Sequence, residues 1–253
     1  MKWLKYLLLF LLITLPANAG MKMIGGGCGG VSSIACPSCA GTATLQWDCD
    51  NIDITTTGCA DGADTAFEAM DQATITSGAC VYTDAGSGGW DYHRMDGDDE
   101  SKINENLYTI FIRFKVTTWV NDSALFIARI DASNYIKILL TSSNDLSLIH
   151  QGSGTSNSVT LTGSKVAANT EWIVRARGRV GEAALDDLGI NLFNTSMESQ
   201  EENEDDHDPV AFTGTLGANQ IWLGNATATA DGSITIYYVN IYNAWLNTDP
   251  CPW

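Results

Sequence analysis

The sequence predicts an all-β protein, an antiparallel sandwich preceded by a loop-rich N-terminal extension dense in cysteine. Three observations carry this. Residues 108–116 (YTIFIRFKV) put Tyr108, Ile110, Ile112, Phe114 and Val116 on one side of an extended chain, and Thr109, Phe111, Arg113 and Lys115 on the other. That period of two gives a strand an inner and an outer face, whereas a helix would scatter Arg113 and Lys115 around an apolar cylinder. Further runs of the same kind follow at short intervals, with polar turns between them and no helical stretch. That pattern predicts antiparallel layers and excludes βαβ units.

The chain opens with Lys2 and Lys5, the apolar run 7–15 (LLLFLLITL), Pro16 and then Ala17-Asn18-Ala19. A charged start, a short apolar middle and a small-x-small end read as a secretory signal peptide over residues 1–19, cut after Ala19. The run is shorter than the roughly 20 apolar residues of a membrane span, and no other stretch is long enough. Cys28 follows Gly25-Gly26-Gly27 and lacks the apolar residue a lipid anchor requires before it. Export, to the medium or the cell surface, is the expectation.

Residues 20–87 form the extension. It holds Cys28, Cys36, Cys39, Cys49, Cys59 and Cys80, while Cys251 stands in a short tail over 248–253. An exported chain meets an oxidising compartment, so disulfides are expected, with a pairing that the sequence leaves open. The odd count leaves a thiol over, and that thiol offers a route to a homo-oligomer. Cys36-Pro37-Ser38-Cys39 has redox and zinc spacing. It lacks the βαβ setting of a redox pair and the second close pair of a zinc knuckle, since Cys49 and Cys59 stand ten apart. Residues 65–72 (TAFEAMDQ), with Phe67 and Met70 three apart, predict a short helix.

The sandwich is expected over 88–247. Residues 90–96 (WDYHRMD) read as its first strand, followed by 108–116, 124–130, 135–140, 146–150, 158–162, 172–176, 188–193, 220–223 and 234–242. Turns are expected at Gly97-Asp98-Asp99, 131–134, 142–145 and the Gly/Ser-rich 152–157. In the strand 172–176, Trp172, Val174 and Ala176 point inward and Ile173, Arg175 and Arg177 outward.

These residues resemble the concanavalin A-like, laminin-G-like jelly-roll domain. The likeness runs through 107–120, the hairpins to Thr162, and Thr170-Glu171-Trp172-Ile173-Val174-Arg175. It ends on Gly232, the strand 236–241 and Tyr242-Asn243-Ala244-Trp245-Leu246. Met95-Asp96-Gly97-Asp98-Asp99 is similar to the family's early Asp-Gly-x-Asp segment. Where members often carry Asp-Asp before the closing Val, this chain has Tyr237-Tyr238. The resemblance implies a jelly-roll β-sandwich over about 88–247 and leaves the extension aside.

Catalytic members of that fold that cut β-glucans carry Glu-x-Asp-x-x-Glu, because two carboxylates must flank the scissile bond at a fixed separation. This chain has no such run. A serine or cysteine nucleophile needs a histidine base, and His93, His150 and His207 stand in no supporting motif. No Gly-x-Ser-x-Gly elbow and no His-Glu-x-x-His occurs. The expectation is therefore a protein that is not an enzyme.

Residues 198–208 (ESQEENEDDHD) hold the densest charge and read as a solvated loop between strands. Hard oxygen ligands suit calcium, which makes Asp205, Asp206 and Asp208 calcium candidates, with Asp98 and Asp99 a second cluster. Sugars stack on exposed aromatics, for which Trp119 and Trp245 are the candidates; Trp222 and Trp172 read as core. With 13 basic residues against 30 acidic and a net charge of −17, the surface repels nucleic acid and anionic lipid. The sequence thus reads as a secreted, non-catalytic recognition or adhesion domain for an extracellular glycan or surface protein, with calcium as its one candidate cofactor. The rival readings are a structural subunit of a surface layer, filament or virion, and a divergent glycoside hydrolase.

Overall fold

A computed structural model of the chain describes residues 45–48, 66–70, 74–76, 79–82, 92–96, 103–118, 123–141, 145–162, 166–181, 188–205, 209–217, 220–224 and 233–249. The chain divides into Met1–Ala35 and Cys36–Trp253, and all of these residues belong to the second unit. Among them there is no helix. They form fifteen strands: β1 Leu45–Asp48, β2 Ala66–Met70, β3 Thr74–Thr76, β4 Ala79–Tyr82, β5 Tyr92–Asp96, β6 Leu107–Thr118, β7 Ser123–Asp131, β8 Asn134–Leu140, β9 Leu146–Gly152, β10 Thr155–Leu161, β11 Glu171–Arg179, β12 Leu188–Phe193, β13 Ser199–Asp205, β14 Ile221–Gly224 and β15 Ser233–Tyr242. The first four lie before residue 88, where the sequence begins the sandwich, and they join its sheets.

The strands make two antiparallel sheets, as a jelly-roll β-sandwich requires. One has eight strands in the order β13-β12-β11-β6-β15-β4-β3, with β1 also pairing β15; the other has seven, β10-β9-β8-β7-β14-β5-β2. The inner faces follow from the alternation. Ile110, Ile112, Phe114 and Val116 of β6 meet Val174 and Ala176 of β11, Leu188, Ile190 and Leu192 of β12, and Ile136, Ile138 and Leu148 of the other sheet, all buried in one core. Each of these side chains except Ala176 contributes about 1.5–3 kcal/mol on leaving water.

Two expectations are overturned. Residues 66–70 are a strand, not a helix: Ala66 to Met70 pair in register with Asp96 to Tyr92 of β5. Pairing with a partner distant in sequence outweighs a local helical spacing of Phe67 and Met70. The acidic run is not a loop over its first part either, because Ser199–Asp205 pairs with β12 from Phe193 to Leu188. The turn expected at 152–157 is also tighter. Only Ser153 and Gly154, both at positive φ (48° and 85°), connect β9 to β10. Such a two-residue hairpin follows the twist of the strands it joins.

β15 carries an irregularity that decides what faces outward. Ile236 pairs Phe114 while Tyr238 pairs the adjacent Arg113, so Tyr237 is inserted between them. This bulge moves the inward phase from Ile234 and Ile236 to Val239 and Ile241, and turns Tyr238, Asn240 and Tyr242 to the outer face. A second apolar cluster forms there, with Phe111, Ile173, Phe193, Tyr238 and Tyr242 buried and Met197, Ala244 and Leu246 packed on them.

Candidate functional site

The outer face of the eight-stranded sheet should be wet by the simple alternation rule, yet residues 243–249 fold back across it. Thr109 on β6 fastens this strap from both sides, donating its hydroxyl to the Ala244 carbonyl at 2.6 Å and accepting the Leu246 N–H at 2.9 Å. Further along, Asp249 is buried and accepts from the Tyr242 hydroxyl at 2.6 Å and the Asn240 side-chain amide at 3.0 Å. Asn243 accepts the Asn104 N–H at 2.7 Å.

Beneath the strap, register aligns a row of side chains across the sheet. Asn240, Phe111, Arg175, Asn191 and Glu202 are successive Cα partners on β15, β6, β11, β12 and β13. Alternation on β11 adds Arg177 and Arg179 to the same face. Both Arg175 and Arg177 are held: Arg175 donates to the Asn247 carbonyl and to the Glu202 carboxylate, and Arg177 to the Asn247 side-chain oxygen and, at 3.2 Å, to the Leu246 carbonyl. Their side chains are only 4% and 3% exposed, whereas that of Glu202, on the outermost strand, is 45% exposed. Burial pulls the Arg175 pKa down from its ordinary value, and the Glu202 charge opposes that pull.

A hollow of about 440 Å³ opens here, lined by Arg175, Arg177 and Glu202 together with Asn191, Phe193, Ser199 and Asn247. Its apolar part is Phe193, whose ring centre lies 5.6 Å from the Arg175 guanidinium. The Ser199 hydroxyl donates to the Asn191 side-chain oxygen at 3.2 Å. The walls hold two guanidiniums, one carboxylate, amides and a hydroxyl, and no imidazole. Such a set can orient a polar or anionic group, but it lacks the opposed carboxylate pair of glycoside hydrolysis and the base that would activate Ser199.

Of the residues singled out from the sequence, Trp245 comes to this place. It lies on the strap, half-buried, and the Arg177 and Arg179 guanidiniums sit 4.4 and 4.5 Å from its ring centre. Asp205 ends β13, while Trp119, Asp98, Asp99, Asp206 and Asp208 lie outside the described residues. So do Cys28, Cys36, Cys39, Cys49, Cys59 and Cys251, whereas Cys80 is buried in the core on β4. Trp222 and Trp172 are half-buried, and the Trp172 indole N–H donates to the Ala167 carbonyl at 3.3 Å. Arg175 and Arg177 had no place in the sequence-based site. The available signal was the apolar Ala244-Trp245-Leu246 following the closing strand, which needed a surface to cover.

Of the histidines, His93 is on β5 and His207 is outside the described residues. His150 is buried on β9, at 3.0 Å from the Val210 carbonyl and 3.3 Å from the Tyr108 hydroxyl. The carbonyl can only accept, so the Nε2 nitrogen carries the proton and Nδ1 accepts from Tyr108. Burial pushes the His150 pKa down from 6.5 to about 4, against the raising effect of the Val210 bond, and burial raises that of Tyr108. This pair is buried in the interior.

No known protein-family profile matches this chain, and no curated protein matches it in sequence. Solved structures do match its fold. Botulinum neurotoxin type C, whose cell entry depends on interaction with two ganglioside molecules, superposes with a TM-score of 0.58 at 11% identity, covering 81% of this chain and 49% of that one. The binding domain of botulinum neurotoxin DC, in complex with rat synaptotagmin II, gives 0.57 at 11% identity, with 81% and 49% covered. A protein of unknown function from Shewanella oneidensis MR-1 gives 0.50 at 10% identity, with 88% and 100% covered. The chain spans about half the length of the neurotoxin chains it matches, and at these identities the likeness is one of β-sandwich fold.

Proposed function

We propose that this chain is an exported, non-catalytic recognition module that binds an extracellular glycan or surface protein through the hollow under its C-terminal strap. One observation carries the reading. Two arginines that are almost wholly buried, and fixed by backbone and side-chain oxygens of the strap, open into a polar hollow on the outer face of the eight-stranded sheet. Burying two cations has a desolvation cost that a purely structural face avoids with apolar residues, and fixed donors facing a hollow are what a specific binding site requires. The fold likeness to neurotoxin binding domains supports a binding role, since those proteins engage gangliosides and synaptotagmin.

The test is a glycan and surface-protein array probed with the full chain and with Ser199→Trp, which fills the hollow from the exposed edge strand and leaves both arginines in place. The arrays are run with calcium and with a chelator, which tests calcium assistance in the same experiment. Retention on the array by the parent chain, lost in Ser199→Trp, is the expected result. Equal retention by both chains would move the site elsewhere, and no retention by either would end the recognition reading.

A further inference from the structure

The contact between Glu202 and the two arginines is lopsided. The guanidiniums are sealed in and tied to Leu246 and Asn247, while the carboxylate that meets them comes from the edge strand and is nearly half exposed. It bonds Arg175, but its oxygen stays 3.6 Å from the Arg177 nitrogen, an ion-pair distance longer than a hydrogen bond. One exposed carboxylate therefore faces two buried cations, hydrogen-bonded to Arg175 and at ion-pair distance from Arg177. Around it stand Asn191, Ser199 and Asn247, which suit hydroxyl groups, with Phe193, nearly buried in the outer cluster, at the apolar margin. The volume falls within the roughly 300–1,000 Å³ of small-ligand sites and holds a sugar ring.

We infer that Glu202 is an internal stand-in for a ligand carboxylate, and that the hollow takes an acidic sugar whose carboxylate enters between Arg175 and Arg177 as Glu202 turns out to solvent. This rests on the recognition reading above and names its ligand class. A ligand carboxylate arriving from the hollow is free to lie across both guanidiniums and form charge-assisted bonds with each. A neutral sugar has no group with which to replace the Glu202 charge, so discrimination between acidic and neutral sugars follows from the same geometry. Glu202 also shields the cations while the site is empty, which limits the cost of holding them buried.

Isothermal titration calorimetry with methyl glucuronide, methyl glucoside, acetate and sulfate tests this on the full chain and on Glu202→Gln. The parent chain is expected to bind the glucuronide at least about tenfold more tightly than the glucoside, roughly 1.4 kcal/mol. Glu202→Gln, with the internal competitor neutralised, should tighten the glucuronide further. Equal affinity of the parent chain for glucuronide and glucoside overturns the inference, and that arm holds even if Glu202→Gln does not fold. Uptake of acetate or sulfate as tight as the glucuronide reduces the site to a general anion hole and also overturns it. If neutral glycans are retained on the array and lost in Ser199→Trp, this inference fails while the recognition reading stands.

Discussion

His150 ties the fold to pH on the acid side of neutrality. Its ring lies near-parallel to that of Tyr108, with centres 6.0 Å apart, and its Nε2 proton reaches the Val210 carbonyl, so it is built in as the neutral base. The folded pKa of about 4 lies below the ordinary 6.5. Above 6.5 neither state is charged and the group adds no pH dependence. As pH falls through 6.5 the unfolded chain takes the proton first, and stability declines until about pH 4, where the loss is complete at about 3 kcal/mol. Urea unfolding of the parent chain and of His150→Gln between pH 7 and 4 measures this; the same slope in both would remove His150 as its cause. Gly152, two residues on, sets a steric test of the same contact. A Cβ there would stand 1.7 Å from the Val210 carbonyl oxygen. Gly152→Ala must push residues 209–217 off β9, breaking the His150 bond and the Ser153 hydroxyl's bonds to the Ala211 carbonyl and Thr213. The cost is expected at or above the upper end of the roughly 1–3 kcal/mol of overpacking, read as a lowered melting temperature, and an unchanged one would show that this loop yields freely.

Strands such as β6 and β8 were legible because their alternation is local and nearly unbroken. β8 reads buried and half-buried in strict succession from Asn134 to Leu140. Misreadings arose where a distant partner decided the outcome. β2 takes its form from β5, and the acidic run takes its form from β12, neither of which its own composition announces. The strand at 234–242 was legible, but the step from Ile234 and Ile236 to Val239 and Ile241, which marks the bulge that builds the outer cluster, comes from its pairing with β6. The hollow itself was not legible, since Thr109 and Ala244 lie 135 residues apart and their contact brings Leu246 and Asn247 onto Arg175 and Arg177. The acidity of β13 has a physical use once the strand is known to be an edge. Among the described residues no strand pairs its outer side, and a row of like charges there repels an incoming strand. Replacing Glu204 with Thr should therefore leave the monomer folded and raise association at high protein concentration. Light scattering against concentration reads this, and no change in either direction would assign the charges to solubility alone.

On the scale of the whole molecule, the charge is unevenly placed. The chain carries −17, yet Lys115, Arg113, Arg175, Arg177 and Arg179, five of its 13 basic residues, share the outer face of one sheet. Phe111, Tyr238 and Tyr242 lie on that face too, so it is a second, smaller interior closed by residues 243–249. The jelly-roll core depends on sheet meeting sheet, whereas this interior depends on a terminal strap held by Thr109, two arginines and Asp249. Ending the chain at Asn243 removes the cover while leaving every strand intact. Leu246, partly buried, withdraws a share of the about 1.5–3 kcal/mol that full burial of a leucine contributes, and the bonds to Thr109, Arg175 and Arg177 go with it. The truncated chain should keep its far-ultraviolet circular dichroism, melt at a lower temperature, bind a hydrophobic dye and self-associate through the bared aromatic patch. It should also lose glucuronide binding, since Asn247 no longer fixes the guanidiniums. A truncated chain that stays monomeric, dye-free and as stable as its parent would show that the sandwich carries that face unaided, and the hollow would lose the wall that gives it a shape to recognise.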